Sequence, residues 1–94
     1  MTAAAVTRLG DMSTGHGGFP PRPNLEASPN VFANMMPVHR QGDKWAVHCT
    51  KHCHTGVLAS GSSTVYVNGR QVGRVGDPIS CGDQVASGSN NVFA

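Results

Sequence analysis

Apolar residues alternate with other types on both sides of Asn68-Gly69 in TVYVNGRQVGRV, residues 64–75. A period of two belongs to a strand with one buried face, and Asn-Gly accepts the positive backbone angles of a two-residue hairpin turn. The pattern predicts a β-hairpin. NVFANMMPVHR, residues 30–40, has a matching layout with Asn34-Met35-Met36-Pro37 at the turn, a weaker signal than Asn-Gly. TAAAVTRL, residues 2–9, is the one helical candidate, but it aligns with segments of the hairpins, so no helix is predicted.

That alignment is part of a repeat. AVTRLGD at 5–11, PVHRQGD at 37–43 and QVGRVGD at 71–77 share the form x-V-x-R-x-G-D. A second element recurs as SPNVFAN at 28–34, SSTVYVN at 62–68 and SNNVFA at 89–94. Ser28 to Asp43 and Ser62 to Asp77 align without a gap. The first heptapeptide lacks a Ser element before it, and the last Ser element lacks a heptapeptide after it. Joining the chain ends would complete a third unit. The expected organisation is therefore one domain, 1–94, with units 28–43, 62–77 and a split unit of 89–94 plus 5–11. The expected fold is all-β: three hairpins around a pseudo-threefold axis within one polypeptide, each followed by a Gly-Asp bend.

Composition adds a constraint on stability. Gly, Pro, Ser, Asn and Thr supply 38 of 94 residues, while one Trp, one Tyr and three Phe make only a thin core. A chain this short with so few large apolar groups calls for a staple. The net charge of +2 comes from dispersed Arg and Lys without the clustered basic stripe of nucleic-acid binders. The start has no basic region followed by an apolar run, and no stretch reaches the length of a membrane span. The chain is read as made in the cytoplasm, with any export by a route other than general secretion.

Candidate staples lie in HCTKHCHTG, residues 48–56, with three histidines and two cysteines in seven positions. An odd total of three cysteines argues against a complete disulfide framework. Cys49 and Cys53 could pair, but three thiols among histidines fit a metal site in a reducing compartment better. The bland alternative for these two is small buried thiols. The repeat arbitrates among the donors. His16 and His48 each lie five residues past the Asp of a Gly-Asp bend, and Cys81 lies four past the third. Threefold symmetry would bring these three together. A closed tetrahedral zinc site needs one more ligand, from Cys49, His52, Cys53 or His54. His54 is favoured, with His52 and Cys53 as alternatives. Neighbours in extended chain point oppositely, so His48 and Cys49 are not expected to share an ion.

His39 shares its repeat position with Thr7 and Gly73 and is read as a surface histidine outside this set. Trp45 and the Val-Phe and Val-Tyr pairs are read as core. Asp11, Asp43 and Asp77 sit at matched bends as backbone caps. That leaves Glu26 and Asp83, neither in a metallohydrolase arrangement, so no catalytic residue is expected. A zinc-ribbon-like nucleic-acid module is the second reading, but it wants C-x-x-C knuckles, and three residues separate Cys49 from Cys53.

SPNVFANMMPVHRQGD, SSTVYVNGRQVGRVGD and the closing SNNVFA, with GHGGFPPRPN, WAVHC, CHTG and GDPISCG, resemble the PAAR-repeat family across nearly the whole chain. The namesake motif differs, reading MPVHR, RQVGR and AAVTR, with the Arg kept each time. The resemblance implies a small β cone whose apex zinc is held by three His and one Cys, here His16, His48, His54 and Cys81. It also implies a single copy on the blunt end of a trimeric β-helical spike, in a phage baseplate or a type VI secretion machine. There the tip would sharpen the spike for piercing a target membrane. Some relatives carry fused toxins. This chain stops close after its last repeat element, so a bare tip or an adaptor for separate effector cargo is expected, with no nucleic-acid partner.

Overall fold

Asn68 and Gly69 take φ of 54° and 77°, the type I′ turn that Asn-Gly favours, and join strands β5 (Tyr66–Val67) and β6 (Arg70–Gln71). The computed structural model describes residues 3–94; Met1 and Thr2, including the start of TAAAVTRL, lie outside the described residues. Asn34 and Met35 adopt the same turn, with φ of 55° and 67°, between β1 (Phe32–Ala33) and β2 (Met36–Pro37). The four-residue turn expected there is thus a two-residue one. Its cause is tertiary: the Asn34 side chain accepts from Ser89 and donates to Asn91 at 2.7 Å, while Asn68 makes the equivalent contacts with Ser28 and Asn30 at 2.7 and 2.9 Å.

A third hairpin-like pairing joins the N-terminal and C-terminal segments. Ala5 bridges Phe93, and Ala4 and Ala94 exchange backbone hydrogen bonds of 3.2 and 3.0 Å, in the register of Ala33 with Met36. The three hairpins meet in a closed ring. Thr7 N–H donates to the Gly73 carbonyl at 3.0 Å, Gly73 N–H to His39 at 2.9 Å, and His39 N–H to Thr7 at 3.1 Å. Each heptapeptide thus bonds to the next around a pseudo-threefold axis, and among the described residues the fold is all-β without a helix.

Small residues at matched positions recur because each does the same local job. In each Arg-x-Gly-Asp bend, Gly10, Gly42 and Gly76 take φ of 88°, 85° and 92°, as position three of a type II turn requires. The Asp of each bend accepts the Arg backbone N–H and two side-chain N–H groups, as in Arg40–Asp43 at 2.9 Å for all three. Ser28, Ser62 and Ser89 each accept the N–H groups two and three residues on. These side chains satisfy turn backbone that no sheet ladder reaches.

Val6, Val38 and Val72 pack with Ala33, Val67 and Ala94 between the hairpins. Beyond them on the axis lie Thr7, His39 and Gly73, then a second cluster of Trp45, Leu58, Ile79 and Val85. A Cβ on Gly73 would come within 2.8 Å of Leu58 and 2.9 Å of Thr7, so the three axial slots hold one large, one medium and one absent side chain. His39 is fully buried, against the expectation of a surface histidine, with its ring edge-on to Trp45. The Val-Phe and Val-Tyr pairs also differ from expectation. Phe32, Tyr66 and Phe93 are 56–57% exposed, because their alternation with buried Ala33, Val67 and half-buried Ala94 turns them outward.

The longest strands, β3 (Lys44–Cys49) and β4 (Cys53–Val57), form in segments where the sequence pattern predicts no strand. A β-bulge explains why β3 was hidden. The register slips between Trp45 and His48, so that two residues intervene between buried positions and strict alternation is lost.

Candidate metal centre

The bulge in β3 has a consequence at the end of the hairpin. It places Trp45 and His48 on one inner face though they are three residues apart, and His48 then stands directly opposite His54 on β4. His16 comes from a tight reversal in which His16 and Phe19 exchange backbone hydrogen bonds of 3.1 and 2.8 Å around Gly17-Gly18. Gly15 takes φ of 77°, and a Cβ there would lie 2.6 Å from the Phe19 carbonyl oxygen. Cys81 sits in the turn closed by Gly82 N–H on the Ile79 carbonyl. Four separate segments thus supply four donors.

Their ligating atoms all lie within 4.8 Å of one another. Nε2 of His54 is 3.1 Å from Nε2 of His16 and 2.7 Å from Nε2 of His48. Tetrahedral zinc with nitrogen ligands at ~2.0–2.1 Å sets neighbouring nitrogens about 3.3 Å apart, so a small inward or outward adjustment suffices. The tautomer of one ring is set: His48 Nδ1–H donates to the Pro20 carbonyl at 2.8 Å, which leaves Nε2 as a free lone pair aimed at the group. Burial, with the neighbouring His48 and His16, holds His54 below the ordinary imidazole range, in the neutral form that a metal requires. The four residues therefore form a possible metal-binding group.

The other sequence candidates fall outside it. His52 is exposed at the hairpin tip, its ring 6.4 Å from that of His54. Cys49 and Cys53 are exposed and joined in a disulfide, not buried as free thiols, with Cα atoms 4.1 Å apart at directly opposed positions. Counting cysteines concealed this, because Cys81 alone is free. Two residues of GHGGFPPRPN escaped notice. The Phe19 ring lies 4.1, 4.8 and 4.9 Å from the His54, His48 and His16 rings, covering the donors. Arg22 is buried behind them.

Comparison with known proteins matches residues 9–87 to the model of the PAAR motif family. Among similar proteins, the double-stranded DNA deaminase toxin A of Burkholderia cenocepacia (strain H111) is 32% identical over 69 residues, 73% of this chain and 5% of the toxin. The NAD(P)(+) glycohydrolase toxin Tse6 of Pseudomonas aeruginosa (strain PAO1) is 32% identical over 76 residues, 73% of this chain and 18% of the toxin. The (p)ppApp synthetase toxin Tas1 of P. aeruginosa (strain UCBPP-PA14) matches at the same identity, over 17% of its length. The chain thus spans less than a fifth of the curated relatives it matches, and it is similar to a stretch common to toxins of three different activities. With four metal-type donors converging at one end of a threefold hairpin fold, and a family match over most of its length, this chain belongs to the PAAR motif family.

Proposed function

We propose that the chain is a structural, zinc-containing tip that caps and sharpens a trimeric β-helical spike of a contractile injection machine. The observation carrying this reading is the convergence of His16, His48, His54 and Cys81 at one end of the pseudo-threefold axis. Three neutral imidazoles and one thiolate suit zinc, and four protein ligands close a structural site. Phe19 over the rings supports closure against water and substrate, which favours structure over catalysis. In this reading residues 1–94 act as one domain with units 28–43, 62–77 and 89–94 plus 5–11.

At the hairpin end, the outward triad Phe32, Tyr66 and Phe93 stands beside Val31, Val65 and Val92, themselves 36–40% exposed. Six apolar side chains in threefold array suit one partner: a blunt surface with true threefold symmetry, capped by one copy per trimer. The toxin relatives support an association with effectors. The Cys49–Cys53 bond belongs to oxidising surroundings, where the tip would work after leaving the producing cell and meet a target membrane. Type VI spikes and phage baseplates both fit this design.

Structural zinc contributes ~10–16 kcal/mol to folding in small domains, against a usual net stability of ~5–15 kcal/mol. Metal analysis of purified protein should find one zinc per chain. Cys81→Ser should lower Tm by more than about 10 °C, from a loss of a few kcal/mol in a domain of this size. A metal-free chain of undiminished stability would refute the metal reading.

A further inference from the structure

We propose that Arg22 is a positioning residue of the metal centre, fixing the orientation of Cys81 Sγ toward the three histidines. The inference rests on the metal reading of the apex given above. Arg22 is 2% exposed, and a guanidinium does not shed its proton, so burial obliges the protein to find acceptors and negative charge for it. Its Nη1–H donates to the Ala46 carbonyl at 3.0 Å, and its Nη2–H to Cys81 Sγ at 3.0 Å. Nε faces Asp83 Oδ2 at 3.8 Å, too long for a hydrogen bond, and neither atom has another partner among the described residues.

Asp83 is 1% exposed, and its other oxygen accepts from Thr14 Oγ1 at 2.7 Å and Gln84 N–H at 2.9 Å. A full positive charge is thereby held between a carboxylate and a sulfur. The N–H bond from the cation occupies one side of Cys81 Sγ and leaves its remaining lone pairs for a metal. The backbone of Arg22 is fixed in turn, donating to Ser13 Oγ at 3.2 Å and accepting from Ser13 N–H at 2.8 Å. Through Ala46, Arg22 also ties the strand bearing His48 to the turn bearing Cys81.

Partners that orient a ligand in this way change metal affinity by about 10–100-fold. The test titrates the metal-free full chain with Co²⁺, following the sulfur-to-cobalt charge-transfer band, and measures zinc affinity by chelator competition. Arg22→Met keeps length and removes the donors. Its zinc affinity should fall about 10–100-fold, and its band should move to longer wavelength as the sulfur loses a stabilising N–H. Arg22→Lys keeps the charge without the fork and should fall between Met and wild type; it decides by the same readouts if Arg22→Met does not fold. Wild-type affinity with an unshifted band in the folded variants overturns the role of Arg22 and leaves the ligands standing. A wild-type chain with no charge-transfer band overturns the ligand set itself.

Discussion

His39 shows what an approximate axis demands of individual side chains. Three equivalent positions converge on a space that accepts one large group, and the sequence fills it with His, Thr and Gly. Buried His39 donates Nδ1–H to the Glu26 carbonyl at 2.7 Å, and burial holds it below the ordinary imidazole range in spite of that bond and nearby Asp43. The unfolded chain therefore takes up the proton first as pH falls. The contribution of neutral His39 is complete above about pH 6.5 and is lost as pH drops toward the folded value. In denaturant unfolding, wild type should lose stability relative to His39→Leu as pH falls below about 6.5. A gap that stays constant would contradict this. At this scale the sequence was legible where the repeat numbered it: His16, His48 and Cys81 stand at near-equal offsets from three Gly-Asp bends. Phe19 and Arg22 lie outside the repeat units, between 11 and 28, so nothing in the repeat marks them, and the burial of His39 depends on what its two counterparts lack.

Hairpins were legible where turn chemistry and alternation agreed, as around Asn68-Gly69. They were hidden where tertiary contacts overrode local preference. Met35 has φ of 67° and is 93% exposed, held there because Asn34 is anchored to Ser89 and Asn91. A non-glycine residue in this region carries a strain of about 1 kcal/mol, and the equivalent Gly69 avoids it. Met35→Gly should therefore raise stability by about 0.5–1 kcal/mol, seen as a higher unfolding midpoint in denaturant. A lower midpoint would show that Met35 makes a contribution the turn geometry does not explain. The β3–β4 hairpin escaped the sequence for the opposite reason. Its bulge breaks the period of two, yet that same break turns His48 onto the face of Trp45 and toward His54. The disulfide follows from that pairing, since Cys49 and Cys53 become neighbours only once the strands are in register.

At the scale of the whole molecule, one chain reproduces the plan of a trimer. Backbone bonds close a ring through Thr7, Gly73 and His39, and three valines meet beneath it. The symmetry relaxes toward the donor end, where a six-residue and a five-residue strand on one side answer tight turns on the others. That asymmetry brings together four candidate donors, with His54 on the returning strand. The opposite end keeps its threefold character in the outward Phe32, Tyr66 and Phe93. A symmetric face and an asymmetric point suit a part that docks on three identical chains and tapers to a single ion. Native mass spectrometry of the chain mixed with a trimeric β-helical spike from the same genome tests this most directly. The account predicts a complex of one chain with three spike chains; three chains bound to each spike trimer would contradict it.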